Sequence, residues 1–285
     1  MTTINSQDTD AIKPFSRKLI VPDAQSHKGQ NGKLLIVGGS QLFHAASIWA
    51  AEIASHFVDM VHYCSTDENN EIMSHLKGIF RNGIVVSRDR MDDYAREDDA
   101  ILVGPGLVRE GKEAEVSRRV VKQLIDRFQD KPIVFDAGAI QTMEAKWLKT
   151  MRAVPIVTPH QLEFERLFGV NVTALPLEEK VKEVEKTAKE HKVVILMKAI
   201  DDIISDGETT IVVTGGNAGL TKGGTGDILA GLVASLRTKH DPVTSCVLGS
   251  YVIKRTADAL STHKGTWYNN SDIIGTVPDV MNTLL

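Results

Sequence analysis

Only two of the 285 residues are cysteine, Cys64 and Cys246, and neither belongs to a Cys-x-x-Cys pair. Both lie in apolar surroundings, so they read as reduced core thiols of a cytosolic protein rather than a disulfide framework. Excess positive charge is also missing. Lys and Arg number 33 against 37 Asp and Glu, for a net charge of -4, and no overall basic footprint argues for nucleic acid. No apolar run reaches the length of a membrane span. The opening "MTTINSQDTDAIKPF" lacks the apolar stretch of a secretory signal. Residues 1–14 are expected to form a flexible segment ahead of a single domain over 15–285. Repeats, low-complexity tracts and linker-like composition shifts are absent. His56, His62 and His263 fall in no His-Glu-x-x-His or Cys/His spacing, so no protein-built metal site is expected.

What the chain does have is a series of short apolar runs. "KLLIVGG" (33–39), "MVHYCS" (60–65), "GIVVS" (83–87), "AILVGPG" (100–106), "PIVFDAG" (132–138), "PIVTPH" (155–160) and "VVILMK" (193–198) are mostly continuous, not alternating. That pattern suits strands buried on both faces of a parallel sheet. Residues 201–216 read as two strands about a turn at Asp206-Gly207. Between these runs lie helical stripes. One has apolar residues at Val116, Val120, Val121, Leu124, Ile125 and Phe128; another, over 177–190, has Leu177, Val181, Val184 and Ala188 in a charged background. Segments 228–237 and 243–261 are rich in small and apolar residues and should be buried. The alternation predicts an α/β fold, with a mostly parallel central sheet and helices on both faces.

Ligands of open α/β sheets sit at the carboxyl ends of the strands. Glycine and polar residues cluster at those predicted ends, at Gly38-Gly39-Ser40, Gly104-Pro105-Gly106, Asp136-Ala137-Gly138, Thr158-Pro159-His160 and Lys198. The densest signal is "GNAGLTKGGTGDILAGLVASL" (216–236), where a glycine loop meets an apolar helix starting near Thr225. Glycines let backbone approach a ligand, and a helix start presents free amides and a positive dipole end to a phosphate. Asp227, in the first turn, could serve only the helix dipole. Beside bound phosphates it could also take a proton from a hydroxyl. The loop is neither a P-loop nor a G-x-G-x-x-G motif.

"GGTGDILAG" resembles the glycine-aspartate signature of ribokinase-like small-molecule kinases. Together with "HKGQNGKLLIVGGS" (27–40), "VGPGL" (103–107), "VFDAGAI" (134–140), "VTPHQLEFERLFG" (157–169) and "MKAIDDII" (197–204), in this order, it resembles the ADP/ATP-dependent NAD(P)H-hydrate dehydratases over roughly residues 15 to 280. The resemblance implies a ribokinase-like fold and ATP or ADP as co-substrate, with Mg2+ arriving on the nucleotide. It also implies phosphorylation of the 6-hydroxyl of hydrated NADH or NADPH (NADHX, NADPHX), followed by loss of phosphate. Asp227 is then the base. Ala46, Gly104, Gly106 and His160 would contact the hydrated dinucleotide. Lys198, Ala199, Ile200, Asp201 and Asp202, with Asn217, Gly224, Thr225 and Gly226, would contact the nucleotide. Many relatives also carry an epimerase domain. The present length leaves no room for one, so a separate epimerase is expected, and relatives suggest a homo-oligomer in the cytoplasm.

The chain departs from the family pattern where Ala45 and Ala199 replace glycines, and "FVDMVHYCS" replaces a glycine-rich turn. A Cβ at Ala45 would crowd a ligand if the backbone ran close to it. Two other readings therefore stay open: a kinase of a hydroxymethylpyrimidine- or hydroxyethylthiazole-type vitamin precursor, and a catalytically weakened nucleotide-binding protein. Simpler roles also exist for single residues. His160 could cap a turn, Lys198 could reach to solvent, and Asp136 could touch magnesium or phosphate or cap the next segment. His27 and Lys28 could orient their loop, and Glu163 and Glu165 are expected on a solvated helix side.

Overall fold

The apolar runs fold as the strands of one sheet. The computed structural model describes all 285 residues. Its strands are β1 (Thr2–Asn5), β2 (Lys33–Val37), β3 (Met60–Cys64), β4 (Gly83–Val86), β5 (Ala100–Val103), β6 (Ile133–Phe135), β7 (Ile156–Val157), β8 (Val194–Met197), β9 (Asp202–Ser205) and β10 (Thr210–Thr214). The helices are α1 (Lys13–Ser16), α2 (Ala45–Ala54), α3 (Asp67–His75), α4 (Met91–Glu97), α5 (Gly111–Arg127), α6 (Ala137–Thr142), α7 (Ala145–Leu148), α8 (Gln161–Phe168), α9 (Leu177–His191), α10 (Thr225–Arg237), α11 (Pro242–Lys264) and α12 (Asn270–Asn282).

The strand order is β1-β10-β9-β8-β7-β6-β5-β2-β3-β4. Every pairing is parallel except the two made by β9. The predicted hairpin is therefore β9 and β10. Alternate residues of one strand feed opposite cores, as the two-residue period of a strand requires. Leu34 and Ile36 face the layer of α2, α10, α11 and α12, while Leu35 and Val37 face the layer of α4 to α9. Both faces are covered, which is why the strands read as unbroken apolar runs.

From β2 the chain moves outward through β3 and β4, then crosses back to β5 on the other side of β2 and moves outward through β6, β7 and β8. The reversal between β2 and β5 is a topological switch point, where such sheets open a crevice. The two loops leaving these strands touch there, with the Gly39 amide donating to the Pro105 carbonyl at 2.8 Å.

The N-terminal segment departs from expectation. Thr2–Asn5 pairs in parallel register with Thr214 and its neighbours as the edge strand β1. Ile4 is fully buried and Ile12 nearly so. A polar sequence concealed this, because two isoleucines separated by eight residues carry no periodic signal. Replacing Ile4 with Ala is expected to cost about 2–4 kcal/mol of stability by leaving a cavity under β1, read as a lower urea midpoint with an unchanged slope.

Candidate active site

The site grows from the start of α10. Gly224 is its N-cap with φ at 101°, a conformation L side chains rarely adopt, and a Cβ there would collide with the Trp49 ring and the Asn270 amide. The glycine loop is thus wedged between α2 and α12, and Asn270 Nδ2 donates to the Gly223 carbonyl at 2.9 Å. Behind it, nine consecutive residues from Ile228 to Leu236 are buried, so the helix axis is fixed on all sides. The amides of Gly223, Gly224 and Gly226 donate to no carbonyl or side chain. They remain available to an anion at the positive end of a 13-residue helix.

Asp227 lines a cleft of about 550 Å³ together with Ala46, Gly106, Ala137, Gly138 and Gln141. Leu42 and Phe43, both exposed apolar side chains, flank its mouth. Three charged groups stand close behind. Lys198 donates from Nζ to Asp136 Oδ1 at 2.6 Å, and Thr158 donates to the same oxygen at 2.7 Å. Glu163 Oε1 accepts from Gln141 at 2.7 Å. Burial, then the negative charge of Asp136, pushes the Asp227 carboxyl up to about 7; Lys198 opposes the rise and Glu163 adds to it. Burial works against the Lys198 ammonium, yet Asp136, Glu163 and Asp227 together hold its pKa above the usual lysine value.

Strand pairing brings these residues together. His160 and Lys198 are bridged side by side just beyond β7 and β8. His160 caps α8: its Nδ1 accepts from the amides of Leu162 and Glu163 at 3.2 and 3.3 Å, and Glu163 Oε2 accepts from the His160 amide at 3.0 Å. Nδ1 is therefore held as an acceptor, and on the neutral ring Nε2 keeps the proton. The solvated position expected for Glu163 is corrected by this reciprocal cap, which buries it; Glu165 bonds to Asn171 on the outer side. Next to Asp136, Ala137 has φ at 41°, a strained backbone at the cleft wall that nothing in the sequence announces.

The expected nucleotide residues are only partly gathered. Lys198, Ala199, Asp202, Thr225 and Gly226 line a recess of about 110 Å³ beside the helix start. Ile200 is 90% exposed next to it, and Asp201 stays on the loop between them outside its lining. Asp202 faces inward, accepting from Ala199 N at 2.9 Å and Ser250 Oγ at 2.7 Å, and burial raises its pKa. Lys254, which sequence reasoning missed, donates to the Ile200 carbonyl at 2.7 Å and lies 3.7 Å from Asp202. A lysine inside the 243–261 stretch, rich in small and apolar residues, was its signal.

Two expected contact residues have structural partners of their own. The Asn217 side chain is engaged internally, donating to Ala257 O and accepting from Gly219 N and Tyr268 Oη, so it shapes the loop. Gly104 lies outside the cleft lining; its missing Cβ makes room for the Asp136 carbonyl. The two lost glycines prove harmless to the local backbone. Ala45 is exposed at the start of α2 and outside the cleft, and Ala199 has no positive φ.

Known proteins resemble this chain in sequence and in fold. A family model described as NAD(P)H-hydrate dehydratase matches residues 34–279. The chain belongs to the NAD(P)H-hydrate dehydratase family. It is 31% identical to an ADP-dependent (S)-NAD(P)H-hydrate dehydratase of Nitrosopumilus maritimus, over 96% of this chain and 95% of that one. It is also 31% identical to the bifunctional NAD(P)H-hydrate repair enzyme Nnr of Methanocaldococcus jannaschii over 91% of its length, and spans half of that longer protein. The crystal structure of an ADP/ATP-dependent NAD(P)H-hydrate dehydratase from Bacillus subtilis, co-crystallised with ATP/Mg2+, superposes with a TM-score of 0.79 at 22% identity, covering 98% of both chains. The expected ribokinase-like α/β architecture is the one this chain adopts.

Because its folded-state pKa is raised, Asp227 contributes stability that is complete below the unfolded value near 3.8 and lost as pH rises through about 7. Asp227→Asn is therefore expected to unfold at higher urea than the parent at pH 8. That advantage should fade as the pH is lowered towards 4, in paired denaturation curves.

Proposed function

We propose that the chain dehydrates hydrated NADH or NADPH at the expense of ADP or ATP, with Asp227 as the base. The observation that carries this reading is one buried carboxylate, its pKa pushed up to about 7 by burial and by Asp136, on a cleft wall beside a row of unspent amides. Asp227 takes the proton of the 6-hydroxyl as its oxygen attacks the terminal phosphorus of the nucleotide. The free amides of the loop receive the negative charge of the phosphoryl group in flight, and Lys198 offers a cation beside it. The ring nitrogen lone pair then expels phosphate, a far better leaving group than hydroxide. Loss of a proton from the adjacent ring carbon restores the dihydropyridine. The products are the reduced coenzyme, inorganic phosphate and the shortened nucleotide.

Cleft walls supplied by Ala46, Gly106 and Gln141, under Leu42 and Phe43, suit a flat, mostly apolar ring with one amide substituent. His160, with Nε2 kept as a donor, suits a carboxamide or phosphate oxygen. The recess of Lys198, Ala199, Thr225 and Gly226 suits the phosphates of the nucleotide. No group of three His, Cys, Asp or Glu side chains is arranged to hold an ion, so magnesium would be held chiefly by those phosphates and would neutralise their charge. Relatives named for the (S) hydrate support the (S) epimer as substrate, which calls for an epimerase as the partner activity. The cytosolic setting and self-association remain part of this proposal. Two buried, unpaired thiols suit the first, and no helix is long and apolar enough to cross a membrane.

Incubation with the hydrate, ADP or ATP and Mg2+ is expected to restore the near-ultraviolet absorbance of the reduced nicotinamide. A stable phosphorylated product with no recovery of absorbance would instead favour the vitamin-kinase reading. Asp227→Asn should lower turnover by roughly 10²–10⁴-fold while nucleotide still binds. The base works ionised, so log kcat/KM should rise with pH up to about 7 and level off above it. Lys198→Met removes the cation that lowers this pKa and should move the rising limb to higher pH; a limb that stays in place would remove Lys198 from the electrostatics of the base.

A further inference from the structure

A second cavity, of about 450 Å³, opens beside the first at the carboxyl ends of β2, β3 and β4. The reaction as described uses none of its residues. The two are neighbours through shared segments: Leu107 lines both, Gln41 lines one and Leu42 the other, and Glu113 faces one while Arg109 and Glu110 face the other. Its floor is apolar, formed by Leu107, Val116 and Val120, and Val116 is 46% exposed although it lies on an inward-facing helical stripe. Its rim is charged. Asp67 and Glu68 project from the first turn of α3, Glu113 from the first turn of α5 and Arg88 from the loop after β4. The side-chain hydrogen bond of Arg88 goes to the Met91 sulfur at 3.8 Å, and none of the four makes an ion pair. The rim therefore holds three carboxylates against one guanidinium.

We propose that this cavity receives the adenosine half of the hydrated dinucleotide and selects the form without a 2′-phosphate. The inference rests on the substrate class proposed above and deepens it. A dinucleotide has two nucleosides joined by a pyrophosphate, and the cleft at Asp227 suits the nicotinamide half. The two cavities adjoin at Leu107, so the other half can follow that wall to an apolar floor fit for a purine. Carboxylates following the second strand of an α/β switch point are placed to accept hydrogen bonds from ribose hydroxyls. Their excess over Arg88 repels a phosphate dianion at the same position, so selection comes from an unfavourable contact with the wrong substrate as well as a favourable one with the right substrate.

The test compares kcat/KM for NADHX and NADPHX at saturating ADP, in the parent and in the double variant Asp67→Asn, Glu68→Gln. The parent is expected to favour NADHX by about tenfold or more, and the double variant to bring the ratio close to one. In parallel, calorimetric titration with ADP-ribose and its 2′-phosphate, with a non-hydrolysable nucleotide saturating the other site, reads the cavity without turnover. Tighter binding of the unphosphorylated form, lost in the double variant, supports the proposal. Equal binding of the two forms by the parent, or a preference that the double variant leaves unchanged, overturns it. Absence of dehydration with both hydrates would count against the proposed reaction and not against this preference, which the titration measures by itself.

Discussion

One ammonium among three carboxylates sets the chemistry of this molecule. Lys198 lies where Asp136, Glu163 and Asp227 converge, and its short bond goes to Asp136. With Asp136 paired and Glu163 locked into a helix cap, Asp227 is the carboxylate left to absorb the electrostatic imbalance. Burial first, and the negative charge of Asp136 second, raise its proton affinity to about neutrality. A carboxyl with that affinity is half ionised near neutral pH, the condition under which a group exchanges protons most readily in both directions.

The fold exists, in this sense, to hold that group still. α10 is apolar on every side because it runs between the sheet and the helices of its own layer, and so its first turn cannot drift. The loop in front of it is wedged by Trp49 and Asn270 through a glycine no other residue could replace without a collision. Rigidity here serves the amides as much as the aspartate: donors that are fixed in place before the phosphoryl group moves need no reorganisation when charge develops. At the neighbouring recess, Lys254 and Asp202 carry out a comparable task from beneath, tying the loop that follows β8 by its carbonyl and its amide.

Much of this was legible in the amino-acid order. The strands could be read because burial on both faces forces continuous apolar runs, and the hairpin of β9 and β10 because Asp206-Gly207 interrupts one. Asp227 and the glycine loop could be read because a helix start that meets an anion uses a narrow set of residues. Less legible were residues whose role depends on a distant partner. Glu163 looked solvated on its own helix and is buried by His160 and Gln141. The Asn217 side chain bonds to Tyr268 and Ala257, partners far along the chain. Gly104 looked like a rim residue and is small because Asp136 presses against it.

Sequence alone determined the elements, the parallel sheet and the loop-to-helix junction that carries Asp227, since each follows from local periodicity or from a short motif whose chemistry is self-contained. Tertiary structure alone decided which charges meet. Asp136, Glu163, Lys198 and Asp227 come from four separate segments, and only the register of β6, β7 and β8 under α10 brings them within one another's fields. The value of a pKa depends on those fields and on burial, which fall off with distance in space and not along the chain. The same reason hid the anchored N-terminus: Ile4 and Ile12 acquire meaning only once β10 and α11 supply the surfaces that cover them.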